Sequence, residues 1–438
     1  MNSKLVSLGI ILILFFNDFP LFGSSHLLRS PSFYPFIVGG LIWLIGSKGK
    51  VRWPGNKILI IFIIFVLISL LINIFNISNI LFETAVAISV KNIIVLFFLI
   101  SAMIYTYNVL MLKNDWIDFV EKTIKVSFMI LVPYVLLEII VFYFNIFEPP
   151  FAFIEKLFHS RIYSDIEVHK IRGYAFEGSY FSLVLAFLYP WILKSFLSKN
   201  RKWTDSILFI IFLVIVTTSQ SRSIVSIFMI QTFLYVFMYY KMIFKNYKVL
   251  FSILILASIL IMIGPILVDN IKSLTEFEST NVSNIIRFYS AYYAVQIGLD
   301  NPIFGTGIGL SGGHMASYYD DSIFSAYTAI NWLQNSESLS VPVFSLLPKI
   351  MAEIGVIGLL LYLFIFLNPV WQIKQLHKVK NIPDKYKEIG IAIISMVLGL
   401  MVASFAVDTY YFYGYWISLA ISYTYVQKLK YYEKNLIY

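Results

Sequence analysis

The chain contains no cysteine among its 438 residues, so disulfide bonds, thiolate metal sites and cysteine nucleophiles are excluded. Histidine is also scarce, with five residues. None of these histidines falls into the short ligand spacings that are typical of zinc sites. We therefore expect no zinc site in this protein.

Charged residues are few. Asp, Glu, Lys and Arg make up 13% of the chain, against 59% hydrophobic residues and a mean hydropathy of +0.81. A soluble domain of this size needs more charge on its water-facing surface. The composition therefore predicts a polytopic membrane protein. Because one crossing takes about 20 apolar residues, about twelve crossings would use most of the chain. We expect a single membrane domain over residues 1–438.

Long apolar runs predict an all-α fold of about twelve transmembrane helices. The first run is not followed by a clear small-residue cleavage site, which indicates a retained span and not a signal peptide. The spans are expected near residues 4–22, 32–47, 57–76, 88–111, 124–146, 174–196, 204–220, 222–243, 248–268, 343–367, 388–407 and 409–427.

Basic residues alternate along the chain in a way that predicts its orientation. With the N-terminus inside, 23 of the 33 Lys and Arg residues fall at the cytoplasmic ends of the spans, in every second gap. This distribution agrees with the positive-inside rule, so both termini are predicted to be cytoplasmic. The net charge of +9 therefore indicates membrane orientation and not nucleic-acid binding.

One long segment between apolar runs is not itself a span. Residues 269–342, between the ninth and tenth spans, are predicted to form a large extracytoplasmic loop that caps the active site. Within it, residues from Ile285 to Leu299 carry apolar side chains at helical spacing, which predicts an amphipathic helix at the membrane interface. Asn301-Pro302 would end this helix.

Two features of the same loop are interpreted as turns and not as ligand sites. The GTGIG sequence at residues 305–309 lacks the Lys-Ser/Thr of a P-loop and follows no strand, which favours a backbone turn over a nucleotide site. The acidic pair Asp320 and Asp321 is more typical of a solvated turn than of a divalent-cation site.

Ten basic residues lie outside the cytoplasmic set, and three arginines stand out among them: Arg172 before the sixth span, Arg222 in the SQSRS turn, and Arg287 in the amphipathic helix. Each could be a headgroup anchor. Arg222, however, lies in a hairpin too short to leave the membrane boundary, where ionisable groups are usually functional. Guanidinium groups bind pyrophosphate oxygens in bidentate geometry, so the three arginines predict a site for a lipid diphosphate.

Four further residues are candidates for the same site. Glu177 either pairs with the positive N-terminus of the sixth span or accepts a proton from a sugar hydroxyl. His314 is a second candidate base, although a lone histidine in a loop is more often simply solvated. Asp408, at the turn between the last two spans, and Lys91, near the start of the fourth, are candidate lining charges.

Three stretches resemble the O-antigen ligase and polymerase superfamily of bacterial membrane glycosyltransferases. They are SQSRSIVSIF, RFYSAYYAVQIGLDNPIFGTGIGL and MAEIGVIGLLLYLFIF, in this order along the chain. Each motif is short, and their order around one large loop makes the combination specific. By motif the resemblance covers roughly residues 170–370.

Two details favour the polymerase branch of that superfamily. RGYAFEGSYF resembles the Arg and Glu-Pro-Ser pattern of polymerases, with Gly178 where Pro is expected. Ligases usually carry a His nine residues before the Glu of the Ala-Glu-x-Gly stretch, and here that position is Phe344.

The resemblance implies a Wzy-type polymerase with a GT-C-like membrane glycosyltransferase architecture. Such an enzyme transfers a growing glycan from undecaprenyl diphosphate onto a lipid-linked repeat unit at the periplasmic face of the bacterial inner membrane. It implies diphosphate binding by Arg172, Arg222 and Arg287, acceptor activation by Glu177, and no metal or cofactor. The implied partners are the lipid-linked donor and acceptor, the bilayer and a chain-length regulator. The alternatives are an O-antigen ligase that transfers finished glycan, and a lipid-linked oligosaccharide flippase or transporter.

Overall fold

The computed structural model describes most of the chain. The ninth expected span lies outside the described residues, as does about half of the large loop, including the pair Asp320 and Asp321. The described residues are 2–16, 30–55, 57–76, 82–159, 171–198, 201–219, 221–243, 282–315, 318, 342–378 and 382–436.

Over these residues the chain forms fourteen α-helices and a short 3₁₀ turn at Leu12–Leu14, and no β-strand is found among them. The helices are α1 (Asn2–Ile11), α2 (Phe33–Gly46), α3 (Lys57–Asn76), α4 (Phe82–Leu112), α5 (Trp116–Phe144), α6 (Glu148–Phe158), α7 (Gly178–Leu197), α8 (Trp203–Thr218), α9 (Arg222–Ile243), α10 (Val282–Asp300), α11 (Ser311–Met315), α12 (Leu346–Leu376), α13 (Asp384–Ala403) and α14 (Tyr413–Leu436).

The helices have the lengths and surfaces of a membrane protein. Six of those described, α4, α5, α7, α9, α12 and α13, are long and apolar enough to cross a membrane, and α1, α2, α3 and α8 are shorter apolar helices. Large apolar side chains stay exposed on their outer faces, such as Phe233 at 67%, Phe364 at 59% and Ile64 at 51%. The all-α polytopic membrane fold is therefore confirmed, whereas the number of twelve spans stays a prediction.

Helix α7 lies at the centre of the bundle. Nearly all of its side chains are buried, and it packs against α5, α8, α9 and α13. Gln231 of α9 joins three helices, because its side-chain amide donates to the carbonyl oxygens of Ala186 in α7 (2.8 Å) and Ser395 in α13 (3.1 Å). Polar bonds between helices in an apolar interior fix their relative positions. These hydrogen bonds hold α7 and α9 so that their N-termini lie at the same level.

Two helical features differ from the sequence-based expectation. Helix α6 lies in a gap that we expected to be a connection, with Pro149 and Pro150 in its first turn and Phe151 and Glu155 buried. Helix α12 is broken at Gly355, whose φ of +74° and ψ of 178° are not helical. The part of α12 that precedes this break is therefore only about two and a half turns long.

Candidate functional site

A buried carboxylate of α5 holds the turn that leads into α7. Glu138 is fully buried and accepts hydrogen bonds from the backbone amides of Arg172 (3.3 Å) and Gly173 (2.9 Å). Gly173 has a φ of +56°, a conformation that glycine adopts at little cost. The path of the backbone toward Glu177 is therefore set by contacts inside the protein.

Arg172 takes part in the same buried cluster. Its side chain is 2% exposed, and one guanidinium nitrogen lies 2.5 Å from Oε1 of Glu155, which is 1% exposed. The other terminal nitrogen donates to the carbonyl oxygen of Phe176 at 3.2 Å. The guanidinium thus binds the turn before α7 to α6. Its expected role in diphosphate binding stays a prediction.

Glu177 and Arg222 begin two helices that meet at their N-termini. Glu177 is the residue before α7, with an extended backbone and an exposed side chain that accepts a hydrogen bond from Ser179 at 3.2 Å. A Cβ at Gly178 would lie 3.7 Å from the side chain of Ser221, the residue before Arg222. The two positive helix ends therefore lie side by side, which favours an anion between them.

Gly178 is also the position at which the polymerase pattern has Pro. It is the first residue of α7, a position where Pro is favoured because the amide there has no partner within the helix. The nearest atoms to a Cβ at Gly178 are 3.5 Å away, an ordinary contact distance. The structure therefore has room for the β-carbon of a larger residue at this position.

Arg287 lies in the second turn of α10, and its guanidinium stacks on an aromatic ring. The guanidinium carbon is 5.6 Å from the centre of the Phe344 ring. Ser290 ties the two segments together, because its hydroxyl donates to the carbonyl oxygen of Arg287 (3.0 Å) and accepts from the amide of Phe344 (3.4 Å). A guanidinium stacked on a ring keeps its N–H groups available in the ring plane for an anion.

Tyr180 is the residue around which the predicted site residues gather. Its hydroxyl donates to Oδ1 of Asp408 at 3.1 Å. Glu177 and Arg287 lie within electrostatic range of the same hydroxyl. Lys349 completes the group, because its amine lies 3.7 Å from Oδ2 of Asp408. The structure thus brings together three residues that were far apart in the sequence.

The glycine-rich loop after α10 docks on the break in α12. The amides of Thr306 and Gly307 donate to the carbonyl oxygens of Ala352 (2.9 Å) and Glu353 (2.8 Å), and the amide of Val356 donates to that of Pro302 (2.8 Å). These amides and carbonyls would otherwise be unpaired at the break. The GTGIG sequence is thereby confirmed as a backbone turn, with a positive φ at all three glycines.

The loop is also bound from its other side. Ser69 of α3 donates to the carbonyl oxygen of Phe304 at 2.6 Å, and Ser89 of α4 donates to that of Ile308 at 3.0 Å. The carboxylate of Glu353, which is 2% exposed, accepts from the Ser311 hydroxyl at 3.0 Å. The loop is thus a fixed part of the helical bundle around the site.

The remaining candidates occupy other positions. His314 lies on α11 with a largely exposed side chain, although the surrounding protein desolvates the ring enough to lower its pKa. Its role as a base stays a prediction. Lys91 lies on an exposed face of α4, while its neighbour Asn92 points inward and accepts a hydrogen bond from Tyr411. Among the described residues no cluster of three or more His, Asp or Glu could hold a metal ion.

Three charged or polar residues at this site were missed by the sequence reasoning. Lys349 and Glu353 are four residues apart within a run that was interpreted only as a span and a motif. Opposite charges at this spacing share one face of a helix, and ionisable groups in a span are rarely incidental. Tyr180 follows Glu177 by three residues. In a helix, this spacing places two side chains on the same face.

The chain was compared with known families and proteins. Residues 207–363 match the family model described as O-antigen ligase. This segment runs from α8 into α12 and contains Arg222, Arg287, the glycine-rich loop and Glu353. No curated protein matches the chain at a significant level. The family covers reactions of the O-antigen ligase and polymerase type, on lipid-linked polysaccharides in a membrane. The match, over about a third of the chain, supports the O-antigen ligase and polymerase superfamily as the family of this protein.

Proposed function

We propose that this protein is a polysaccharide (O-antigen) polymerase of the bacterial inner membrane. It would transfer a growing glycan from undecaprenyl diphosphate onto a lipid-linked repeat unit at the periplasmic face. The observation that carries the proposal is the gathering of Glu177, Arg287 and Asp408 around Tyr180, beside the N-terminus of α9 that begins with Arg222.

The diphosphate of the donor is assigned to Arg222 and Arg287. Arg222 begins α9, so its side chain and the helix N-terminus favour an anion at the same place. Arg287 is held on the ring of Phe344. Arg172 is already neutralised by Glu155, so it would join the diphosphate only after leaving that ion pair. Charge that builds on the leaving diphosphate would be stabilised by the guanidinium groups of Arg222 and Arg287.

Glu177 is assigned to the acceptor sugar. The acceptor hydroxyl would attack the anomeric carbon of the donor glycan, form the new glycosidic bond and release the lipid diphosphate. The proton of this hydroxyl would pass to the carboxylate of Glu177, which is exposed and lies directly before the helix that carries Tyr180. Asp408, bound to Tyr180 and Lys349, would hold this side of the site in shape.

Phe344 supports the polymerase over the ligase. A phenyl ring cannot take up a proton, and at this position it supports Arg287 instead. The second candidate function is an O-antigen ligase, which the description of the matching family favours. Deletion of the gene separates the two. A ligase mutant should accumulate long lipid-linked polymer, whereas a polymerase mutant should display a single repeat unit.

The arginine assignment is tested by the ladder of glycan lengths that cells make. Arg222→Ala and Arg287→Ala should each leave single-repeat glycan in place of the ladder at matched expression. Arg52→Ala is the matched control, because Arg52 is exposed in the connection between α2 and α3. A wild-type ladder in both site variants would show that these arginines do not bind the diphosphate. Purified protein incubated with its lipid-linked repeat unit should also form a ladder. Addition of a chain-length regulator, the proposed partner, should change the most abundant glycan length in that ladder.

A further inference from the structure

A cavity with charged residues in its lining lies at the end of α7 that is remote from Glu177. It has a volume of about 500 Å³ and is lined by the last turns of α7, the first turns of α8 and the facing side of α5. Helix α7 has 20 residues and is therefore about 30 Å long. The cavity is thus separate from the candidate site, at the end of the bundle where the basic residues predict the cytoplasmic face.

The lining of this cavity carries more positive than negative charge. Lys125, Lys194 and Lys202 face two carboxylates. Lys125 pairs with Asp205 at 2.7 Å, and Lys194 pairs with Glu121. Lys202, the third lysine, is exposed and forms no ion pair within the described part of the chain. It immediately precedes α8, and its backbone amide donates to Oδ2 of Asp205 in the first turn of that helix at 2.9 Å. The cavity therefore favours a ligand with one net negative charge.

The rest of the lining is suited to a ligand that also has an apolar part. Met129 and Ile207 line the cavity and are 51% and 41% exposed, on the outer faces of α5 and α8 that we expect to meet lipid tails. Trp203, at the rim, is 75% exposed. An exposed Trp at the end of a span is typical of the level of the lipid headgroups.

We propose that this cavity binds the headgroup of an anionic phospholipid. The phosphate would lie between Lys202 and the two paired lysines, and an acyl chain would run along Met129 and Ile207. Basic pockets between helices at the cytoplasmic side of a membrane are suited to such headgroups. The inference does not depend on the reaction at the other end of α7.

The proposal is tested by native mass spectrometry of the purified full chain, titrated with phosphatidylglycerol or with phosphatidylcholine of the same acyl chains. Phosphatidylglycerol should bind more tightly. Lys202→Ala should weaken its binding about fivefold, because one lysine at a membrane surface contributes about that factor to anion affinity. Lys202→Arg should retain the affinity. Lys374→Ala, an exposed lysine of α12, is the matched control and should leave binding unchanged.

Three results would overturn the proposal. The first is equal affinity for the two lipids. The second is unchanged phosphatidylglycerol binding in Lys202→Ala. The third is displacement of phosphatidylglycerol by inorganic phosphate at millimolar concentration, which would make the cavity a site for a free anion.

Discussion

At the scale of single residues, the buried ion pair between Arg172 and Glu155 helps to hold the turn before α7. Glu155→Gln keeps the shape of the side chain but leaves the Arg172 guanidinium charged inside the protein. Breaking a buried pair in this way costs about 3 to 5 kcal/mol. We therefore expect a clear fall in the melting temperature of the purified protein in detergent, together with loss of activity.

Two further variants test whether the unpaired charge of Arg172 causes the fall in melting temperature. Glu148→Gln changes the same charge at an exposed position of α6 and should leave the melting temperature unchanged. The double variant Arg172→Gln, Glu155→Gln removes both charges and should be more stable than Glu155→Gln alone. If Glu155→Gln is as stable as the wild type and binds donor more tightly, Arg172 is a diphosphate ligand that Glu155 restrains.

Asp408 is the second residue whose contacts lead to a prediction. Its carboxylate accepts a hydrogen bond from the Tyr180 hydroxyl and lies beside the Lys349 amine. Asp408→Asn would remove the negative charge that interacts with both groups. A hydrogen bond to a charged group contributes about 1.5 to 3 kcal/mol, so polymerisation by the purified protein should slow at least about tenfold. Asp384→Asn, exposed at the opposite end of α13, should keep the wild-type rate. Equal rates for both variants would remove Asp408 from the site.

At the scale of elements, the docking of the glycine-rich loop on α12 depends on Gly305. Its φ is +63°, and a Cβ there would collide with the backbone of Glu353. Gly305→Ala combines that collision with a left-handed conformation that is unfavourable for alanine, and should destabilise the protein by at least about 2 kcal/mol. The loop should then become sensitive to limited proteolysis before the rest of the chain.

Gly313→Ala is the control for this prediction. Gly313 lies in α11, and a Cβ there would meet nothing within 4 Å. The variant should show wild-type proteolysis and melting. A Gly305→Ala protein that resists proteolysis as well as Gly313→Ala does would contradict the importance of this docking contact.

Most helices could be predicted because an apolar run of about 20 residues has few alternatives to a helix in a membrane. The exceptions have physical reasons. Helix α5 begins at Trp116, eight residues before the expected span, because its first two turns carry charged residues. The break at Gly355 was missed because the apolar run continues across it. Helix α6 was missed because it has only 11 residues, with two prolines in its first turn, and so lacks the long apolar run that predicts a span.

The candidate site was predictable in part for a similar reason. Glu177, Arg222 and Arg287 could be singled out because charges outside the cytoplasmic gaps are rare in this chain. The residues that bind at this site as their partners could not be predicted from the sequence. Glu155 binds Arg172 across 17 residues of sequence, and Asp408 binds Tyr180 across 228. Such pairs depend on how α5, α6, α7 and α14 pack, which hydrophobic patterning does not determine.

At the scale of the whole molecule, stability should depend on pH through His377, which follows α12. Its Nε2 lies 2.8 Å from the hydroxyl of Tyr425, whose hydrogen is donated to the carbonyl oxygen of Tyr386. The Nε2–H of His377 is therefore the donor in this pair. Burial, together with the charge of Lys387, lowers the pKa of His377 to about 4.

The sign of the effect follows from the lowered pKa. Between about pH 6.5 and pH 4 the unfolded chain protonates this histidine while the folded protein does not, so stability falls as the pH falls. The loss should reach about 3 kcal/mol at pH 4 and no further below it. Melting temperatures from pH 7.5 to pH 4 should therefore decline less in His377→Gln, which keeps a hydrogen-bond donor. Parallel curves for the two proteins would contradict this role of His377.

The glycine-rich loop is attached to α12 through backbone amides and carbonyls, and this has a consequence for divergence among related chains. Contacts between Thr306, Gly307 and Val356 and their carbonyl partners do not require particular side chains. Ile303, at the start of the loop, is 51% exposed. Exposed side chains such as that of Ile303 can therefore change among related chains while the loop keeps its place, whereas position 305 requires glycine.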